Sequence, residues 1–183
     1  MNKTSPLNTQ EENELRQYVK SFPEFPKPGI IYDDWAPVFS SSIGVSLINK
    51  LLKKYAETLR GKVDCVVMLE SRGFLIGPII ALHLNVPCIP VCKKGNLPNP
   101  VIELSYSLEY GKDTIVIQPD SVKKGDRLVV VDDFLATGGT LKAATTLLTK
   151  VGGVVVEYFV VMEKLFLEGR KKLEFPVICF ISD

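Results

Sequence analysis

The sequence predicts an α/β fold, with a central, mostly parallel five-stranded sheet flanked by helices and a long flexible lid hairpin. Three observations predict it. Short apolar runs recur at 63–69, 86–91, 127–131, 154–161 and 177–181. Amphipathic helical stretches lie between several of them, and this alternation means a parallel sheet covered on both faces. The stretch 93–126 carries no helical pattern.

The elements follow in order. Residues 11–20 read as a short helix, ended by Phe22-Pro23. Pro23, Pro26 and Pro28 then fall within six residues. Their fixed φ and missing N–H groups forbid a helix, so this segment is extended or turning. In the next helix Ile43, Leu47, Leu51, Tyr55 and Leu59 recur every four residues, with Ile48 and Leu52 beside them. Gly61 is its stop signal. Strand 63–69 leads to a helix over 74–84, with Gly77-Pro78 an irregularity inside it, and then to strand 86–91. The helix-free stretch holds two β-like runs, around Tyr106 and Ile115, separated by Glu109-Tyr110-Gly111-Lys112. Such excursions are lids, binding loops or plain decorative hairpins; the lid spans about 93–118. Strand 127–131 precedes a helix over 140–151, with Leu141, Ala144, Leu148 and Val151 on one face. The whole, 1–183, reads as one domain with its core over about 63–183.

Composition removes several classes. A chain of 183 residues buries a sizeable core without disulfides or metals. Its net charge of +1 gives no global field for nucleic acid or an anionic membrane. Cys65, Cys88, Cys92 and Cys179 form no C-x-x-C pair and read as buried free thiols. His83 lies alone in an apolar stretch, so neither it nor the thiols suggest a metal site. The first twelve residues are polar, without a secretory leader, and no run approaches the roughly 18–20 apolar residues of a membrane span. The expected location is cytoplasmic.

The chemistry concentrates in Val129-Val130-Val131-Asp132-Asp133-Phe134-Leu135-Ala136-Thr137-Gly138-Gly139-Thr140. In a parallel sheet, ligands bind beyond the carboxyl ends of the strands. Asp132 and Asp133 are expected at such an end, where carboxylates accept hydrogen bonds from the adjacent hydroxyls of a ribose. Ala136 to Thr140 then turns tightly into a helix. Gly138 and Gly139 remove side chains, so backbone N–H groups can close on an anion. Thr137 and Thr140 add hydroxyls, and the helix start adds its positive end. A capped turn accounts for one of these residues but not for the set. The ligand read here is a phosphorylated ribose.

This run resembles the phosphoribosyl-pyrophosphate signature of the type I phosphoribosyltransferases. Four further stretches resemble the adenine-using branch of that family. They are Phe22-Pro23-Glu24-Phe25-Pro26-Lys27-Pro28-Gly29, Glu70-Ser71-Arg72-Gly73-Phe74, Lys94-Gly95-Asn96-Leu97-Pro98 and Ser105-Tyr106-Ser107-Leu108-Glu109-Tyr110-Gly111-Lys112. The likeness runs collinearly from about Phe22 to the end.

The resemblance implies a type I phosphoribosyltransferase fold with an N-terminal hood over about 22–40, a homodimer and a role in purine salvage. The reaction it implies takes adenine and phosphoribosyl pyrophosphate to AMP and pyrophosphate, with Mg²⁺. Attack at the ribose C1′ passes through an oxocarbenium-like state. Mg²⁺ would be held through pyrophosphate and ribose oxygens, by way of water to Asp132 and Asp133, with no direct protein ligand. By the same resemblance Asp132 and Asp133 clamp the ribose, and Ala136, Thr137, Gly138, Gly139 and Thr140 hold the 5′-phosphate. Arg72, by position alone a surface arginine, becomes a pyrophosphate ligand, and Lys93 keeps its place beside it. Glu109, by position alone an exposed turn acid, assists proton movement at the purine. Tyr110 closes beside the ribose. Backbone groups of Ile31 and Asp33 read the purine edge, while Ile31 and Leu135 sandwich the ring.

Three positions depart from the family pattern. Asp33 stands where many members carry a basic or neutral residue. Cys92 and Asn96 stand where basic residues commonly help to bind pyrophosphate. A hydrogen bond to a charged group contributes roughly 1.5–3 kcal/mol, so losing two would weaken that end of the substrate. Two alternatives follow: an AMP-binding module with little or no turnover, or a transferase for another purine base. The second requires recognition of a 6-oxo group, usually by a lysine after the phosphate loop, and Lys142 lies on the wrong side of the helix start.

Overall fold

The structure is a computed structural model that describes residues 5–108 and 111–183. Helix α1 (Thr9–Arg16) begins at a reciprocal cap: Asn8 Oδ1 accepts the Glu11 N–H, and Glu11 Oε2 accepts the Asn8 N–H. The cap starts the helix two residues earlier than its apolar pattern suggested. It also ends earlier, because Lys20 is already in a strand. Strands β1 (Lys20–Pro23) and β2 (Ile31–Asp34) pair antiparallel, with Ser21 opposite Asp33. The proline-rich segment is therefore a hairpin. Its prolines are tolerated because this two-stranded ribbon consists of edges.

Helix α2 (Ser42–Leu59) is capped by Ser41, whose Oγ accepts the Gly44 N–H at 3.0 Å. Its buried stripe is Ile48, Leu51, Leu52, Tyr55 and Leu59, whereas Ile43, first in the predicted series, is 75 % exposed. Then follow β3 (Cys65–Leu69), α3 (Gly73–Leu84) and β4 (Cys88–Lys93). Pro78 lies inside α3 without breaking it. The lid is a hairpin of β5 (Ile102–Leu108) and β6 (Gly111–Ile117). The chain closes with β7 (Arg127–Leu135), α4 (Gly139–Lys150), β8 (Val154–Glu163) and β9 (Val177–Ser182).

The sheet order is β5-β6-β4-β3-β7-β8-β9. The five predicted strands β4, β3, β7, β8 and β9 run parallel. The lid hairpin pairs antiparallel on β4, Cys92 opposite Val116, and widens the sheet to seven strands. Strand β7 continues four residues past its apolar run, because Asp132, Phe134 and Leu135 still pair with β8. Two cores sandwich the sheet. One joins α1, α2 and α3 to it, with Tyr55 and Phe159 stacked at 4.2 Å; the other lies beneath α4 and the lid. All four cysteines are free, and three are buried. His83 meets Asn49 Oδ1 at 2.9 Å. Among the described residues no helix is long and apolar enough to cross a membrane.

Candidate active site

The sheet brings the ends of β3 and β7 together, since β3 pairs directly with β7. Asp132 and Asp133 lie within β7, and successive strand residues project to opposite faces. Their surroundings differ accordingly. Asp133 is 6 % exposed; its Oδ2 accepts the Trp35 indole N–H at 3.3 Å and the guanidinium N–H of Arg72. Arg72 also donates to the Tyr32 hydroxyl, with its guanidinium carbon 5.1 Å from the centre of that ring. Asp132 is half-buried and accepts the Asp133 N–H at 2.9 Å. Burial, and next the charge of Asp133, push its carboxyl well above the usual range, while Arg72 pulls the other way. The two acids are thus not equivalent: Asp133 anchors Arg72 and the hood, and Asp132 makes no ion pair among the described residues.

Beyond β7 the chain passes through Ala136 and Thr137 to Gly138, whose φ of 78° is left-handed. Helix α4 starts at Gly139 with no side-chain cap on its first turn. Its leading N–H groups, with the Thr140 hydroxyl nearby, are donors of the kind that an anion cradle needs. What supports the cradle was not visible in the sequence. A Cβ on Gly138 would lie 2.6 Å from the Gly169 carbonyl oxygen, and one on Gly169 would lie 2.2 Å from that of Ala136. Gly169 leads into a 3-10 turn through Lys172, held by Arg170. Arg170 pairs with Glu163, itself 2 % exposed, at 2.6 Å and donates to the Val177 carbonyl. No motif marked this turn, because its partners meet only in the folded chain.

The turn after β3 places Arg72 just before α3. Glu70 there accepts from Asn96 Nδ2 at 2.6 Å and from the Lys93 backbone N–H at 2.7 Å. Burial, and next the Glu70 carboxylate, raise the pKa of the Cys92 thiol. One of the two departures from basic residues, Asn96, thus supplies a neutral donor to Glu70. The Lys93 ammonium pairs with Asp113 of the lid, which also accepts the Tyr106 hydroxyl at 3.3 Å. Tyr106 reaches Thr140 as well; burial raises its pKa, Thr140 lowers it, and Asp132 raises it further. The lid is thereby tied to β4 and to the cradle. Glu109 and Tyr110 lie outside the described residues.

In the hood, Ile31 is 62 % exposed, whereas Leu135 at the root of the cradle is 1 % exposed and packs into the core beneath α4. Of these two, Ile31 is the one that presents an open apolar face. The Asp33 side chain is buried: it accepts from Ser21 Oγ at 2.5 Å and pairs with Lys164. Burial pulls the Lys164 pKa down, but Asp33 and Asp183 more than offset this, leaving it above its ordinary value. Among the described residues no three acidic, histidine or cysteine side chains converge as a metal cage. The crowded negative charge of Asp132 and Asp133 nonetheless suits a hard divalent cation that brings its own oxygen ligands.

Residues 35–180 match the family described as phosphoribosyl transferase domain. An adenine phosphoribosyltransferase of Candida albicans is 46 % identical over 165 residues, covering 90 % of this chain and 86 % of the relative. The Homo sapiens adenine phosphoribosyltransferase is 42 % identical over 160 residues, covering 87 % and 89 %. Among solved structures, adenine phosphoribosyltransferase from Saccharomyces cerevisiae, complexed with D-2,5-dideoxy-2,5-imino-altritol 1,6-bisphosphate and adenine, is similar with a TM-score of 0.87. That pair shares 38 % identity over 94 % of this chain and 99 % of the other.

Proposed function

This chain belongs to the adenine phosphoribosyltransferase family, and from that premise we propose that it salvages purine by making AMP and pyrophosphate from adenine and phosphoribosyl pyrophosphate. One observation carries the reading: Asp132 lies near the carboxyl end of a buried parallel strand, and a left-handed glycine and an uncapped helix start follow soon after that strand ends. In this reading a ribose acceptor and a phosphate cradle stand a few residues apart.

Each residue then has a task. The 5′-phosphate lies against Ala136, Thr137, Gly138, Gly139 and Thr140, whose N–H and hydroxyl groups donate to it. Asp132 accepts a ribose hydroxyl. Asp133 holds Arg72 until the substrate arrives; Arg72 then turns to the pyrophosphate, and Lys93 leaves Asp113 for the same end. Asp132 and Asp133 would hold Mg²⁺ by way of water, and the bound ion would supply charge neutralisation for the departing pyrophosphate. The backbone of Ile31 and Asp33 reads the purine edge. Ile31 covers one face of the ring, and Leu135 the other once it turns out of the core. Glu109 takes the proton released at the purine nitrogen, and Tyr110 excludes water beside C1′. The exposed apolar residues Ile43, Val45, Leu75 and Leu82 on α2 and α3 support a homodimer. A cytoplasmic location fits free adenine and phosphoribosyl pyrophosphate as substrates.

The test is to mix the protein with Mg²⁺, adenine and phosphoribosyl pyrophosphate and follow AMP. No product at millimolar substrate would overturn the proposal. Hypoxanthine and guanine serve as competitors, and preference for either would move the assignment to another base.

A further inference from the structure

The hood is joined to the body in an unusual way. No side chain from 20 to 34 belongs to either hydrophobic core. Polar contacts therefore hold the strand that reads the base. One is Arg72 with Tyr32, and Arg72 is also the residue expected to turn to pyrophosphate. Another is Asp33 with Lys164. Asp33 is 5 % exposed, so its charge requires a partner. Ser21, across the hairpin, satisfies one of its oxygens and Lys164 the other.

Lys164 follows directly on β8, and its own backbone N–H donates to the Leu135 carbonyl at 3.1 Å. Leu135 is the last residue of β7, and Ala136 of the phosphate cradle follows it. Lys164 also reaches Asp183 Oδ2 at 3.3 Å, and Asp183 is held in turn by Arg16 at 2.6 Å. A single residue thus grips the root of the cradle with its backbone and the base-reading strand with its side chain.

We propose that Lys164 is a positioning and specificity-determining residue, which through Asp33 sets the adenine subsite at a fixed distance from the ribose-phosphate subsite. The proposal rests on the adenine-transfer reading above. It also gives a role to Asp33, the acid standing where many family members are basic or neutral: the acid and Lys164 form one device. When Arg72 leaves Tyr32 for pyrophosphate, the Asp33–Lys164 pair keeps the hood in register. Because purine contacts here are expected from backbone atoms, displacement of β2 would weaken adenine while leaving the cradle intact.

The test is steady-state kinetics of AMP formation by wild type, Lys164→Met, Lys164→Arg and the double variant Asp33→Asn with Lys164→Met. Lys164→Met is expected to raise the KM for adenine about tenfold, the equivalent of one lost charge-assisted hydrogen bond, and to leave the KM for phosphoribosyl pyrophosphate within about twofold. Lys164→Arg, which keeps the charge, should return the adenine KM to within about threefold of wild type. The double variant, with no stranded charge, should fall between wild type and Lys164→Met. A merely structural role would move both KM values together or neither, and either result overturns the proposal. If Lys164→Met does not fold, the double variant carries the same test: an adenine KM raised alone supports the proposal, and an unchanged one overturns it. If wild type makes no AMP, the function reading fails, and calorimetry then decides the positioning claim. AMP should bind the variant about tenfold more weakly with ribose 5-phosphate unaffected, and equal AMP affinity overturns it.

Discussion

Replacing Gly169 by alanine tests whether the phosphate cradle is held from outside. The added Cβ would sit 2.2 Å from the Ala136 carbonyl oxygen and 2.8 Å from Leu135 Cδ1. A relaxed carbon–oxygen contact needs about 3.3 Å, so the cradle or the turn must move by about 1 Å. Gly169 does not have a left-handed φ, so alanine adds no backbone strain and the effect is steric alone. A shift of about 1 Å in a positioning element can lower a rate about 100-fold, or about 2.7 kcal/mol of transition-state stabilisation. Overpacking also lowers stability, by about 1–3 kcal/mol. The assay is initial velocity of AMP formation against phosphoribosyl pyrophosphate, with urea unfolding in parallel. We expect kcat/KM for that substrate to fall about 100-fold in protein that remains folded. A folded Gly169→Ala enzyme within threefold of wild type would refute the buttress argument.

Other consequences follow from the same contacts. Arg170→Met strands the buried Glu163 carboxylate and should destabilise the protein by about 3–5 kcal/mol in urea; a change below 1 kcal/mol would contradict that account. The Arg127 side chain holds Asp64 at about 2, below its ordinary 3.8. Its stabilising contribution is therefore complete above pH 3.8 and is lost as pH falls toward 2, so Asp64→Asn should flatten the Tm profile across that window. Burial pushes Cys65 up to about 12 and both Cys88 and Cys179 up to about 11. At pH 8 a thiol reagent should therefore label at most the half-buried Cys88 quickly and all four only after denaturation; two fast thiols would be inconsistent with this packing. Chelation of divalent metal should abolish AMP formation and Mg²⁺ should restore it, and undiminished turnover in chelator would remove the metal from the proposal.

The sequence was informative where chemistry is local. The stripe of α2, the five apolar strands and the turn from Ala136 to Thr140 each depend on near neighbours, and each was legible. Boundaries failed where a neighbour overrode local preference. Strand β7 runs through two aspartates because β8 continues to pair with it. Residues 20–34 form a hairpin despite their prolines because no central strand is involved. Among the candidate site residues, pattern singled out Asp132 and Asp133 and the family resemblance added Arg72; the different surroundings of the two acids, set by alternation along the strand, were not legible. Trp35, Tyr106, Asp113, Lys164 and Gly169 act through residues distant in sequence, and only the folded chain brings those pairs together. Asn96, a loss of charge by sequence, is a donor to Glu70 in the folded chain.

The place of β7 in the sheet also bears on how the chain is made. It lies between β3, where Cys65 faces Leu128, and β8, where Val160 faces Asp132. When β7 leaves the ribosome, its partner on one side is long since synthesised and its partner on the other does not yet exist. The emerging chain therefore carries an apolar strand with one open edge until residue 163 follows, and the turn at Gly169 comes later still. Long-range parallel pairing of this kind folds slowly and leaves unpaired edges exposed to other chains. Chains interrupted before β8 are accordingly the species expected to aggregate or to occupy chaperones.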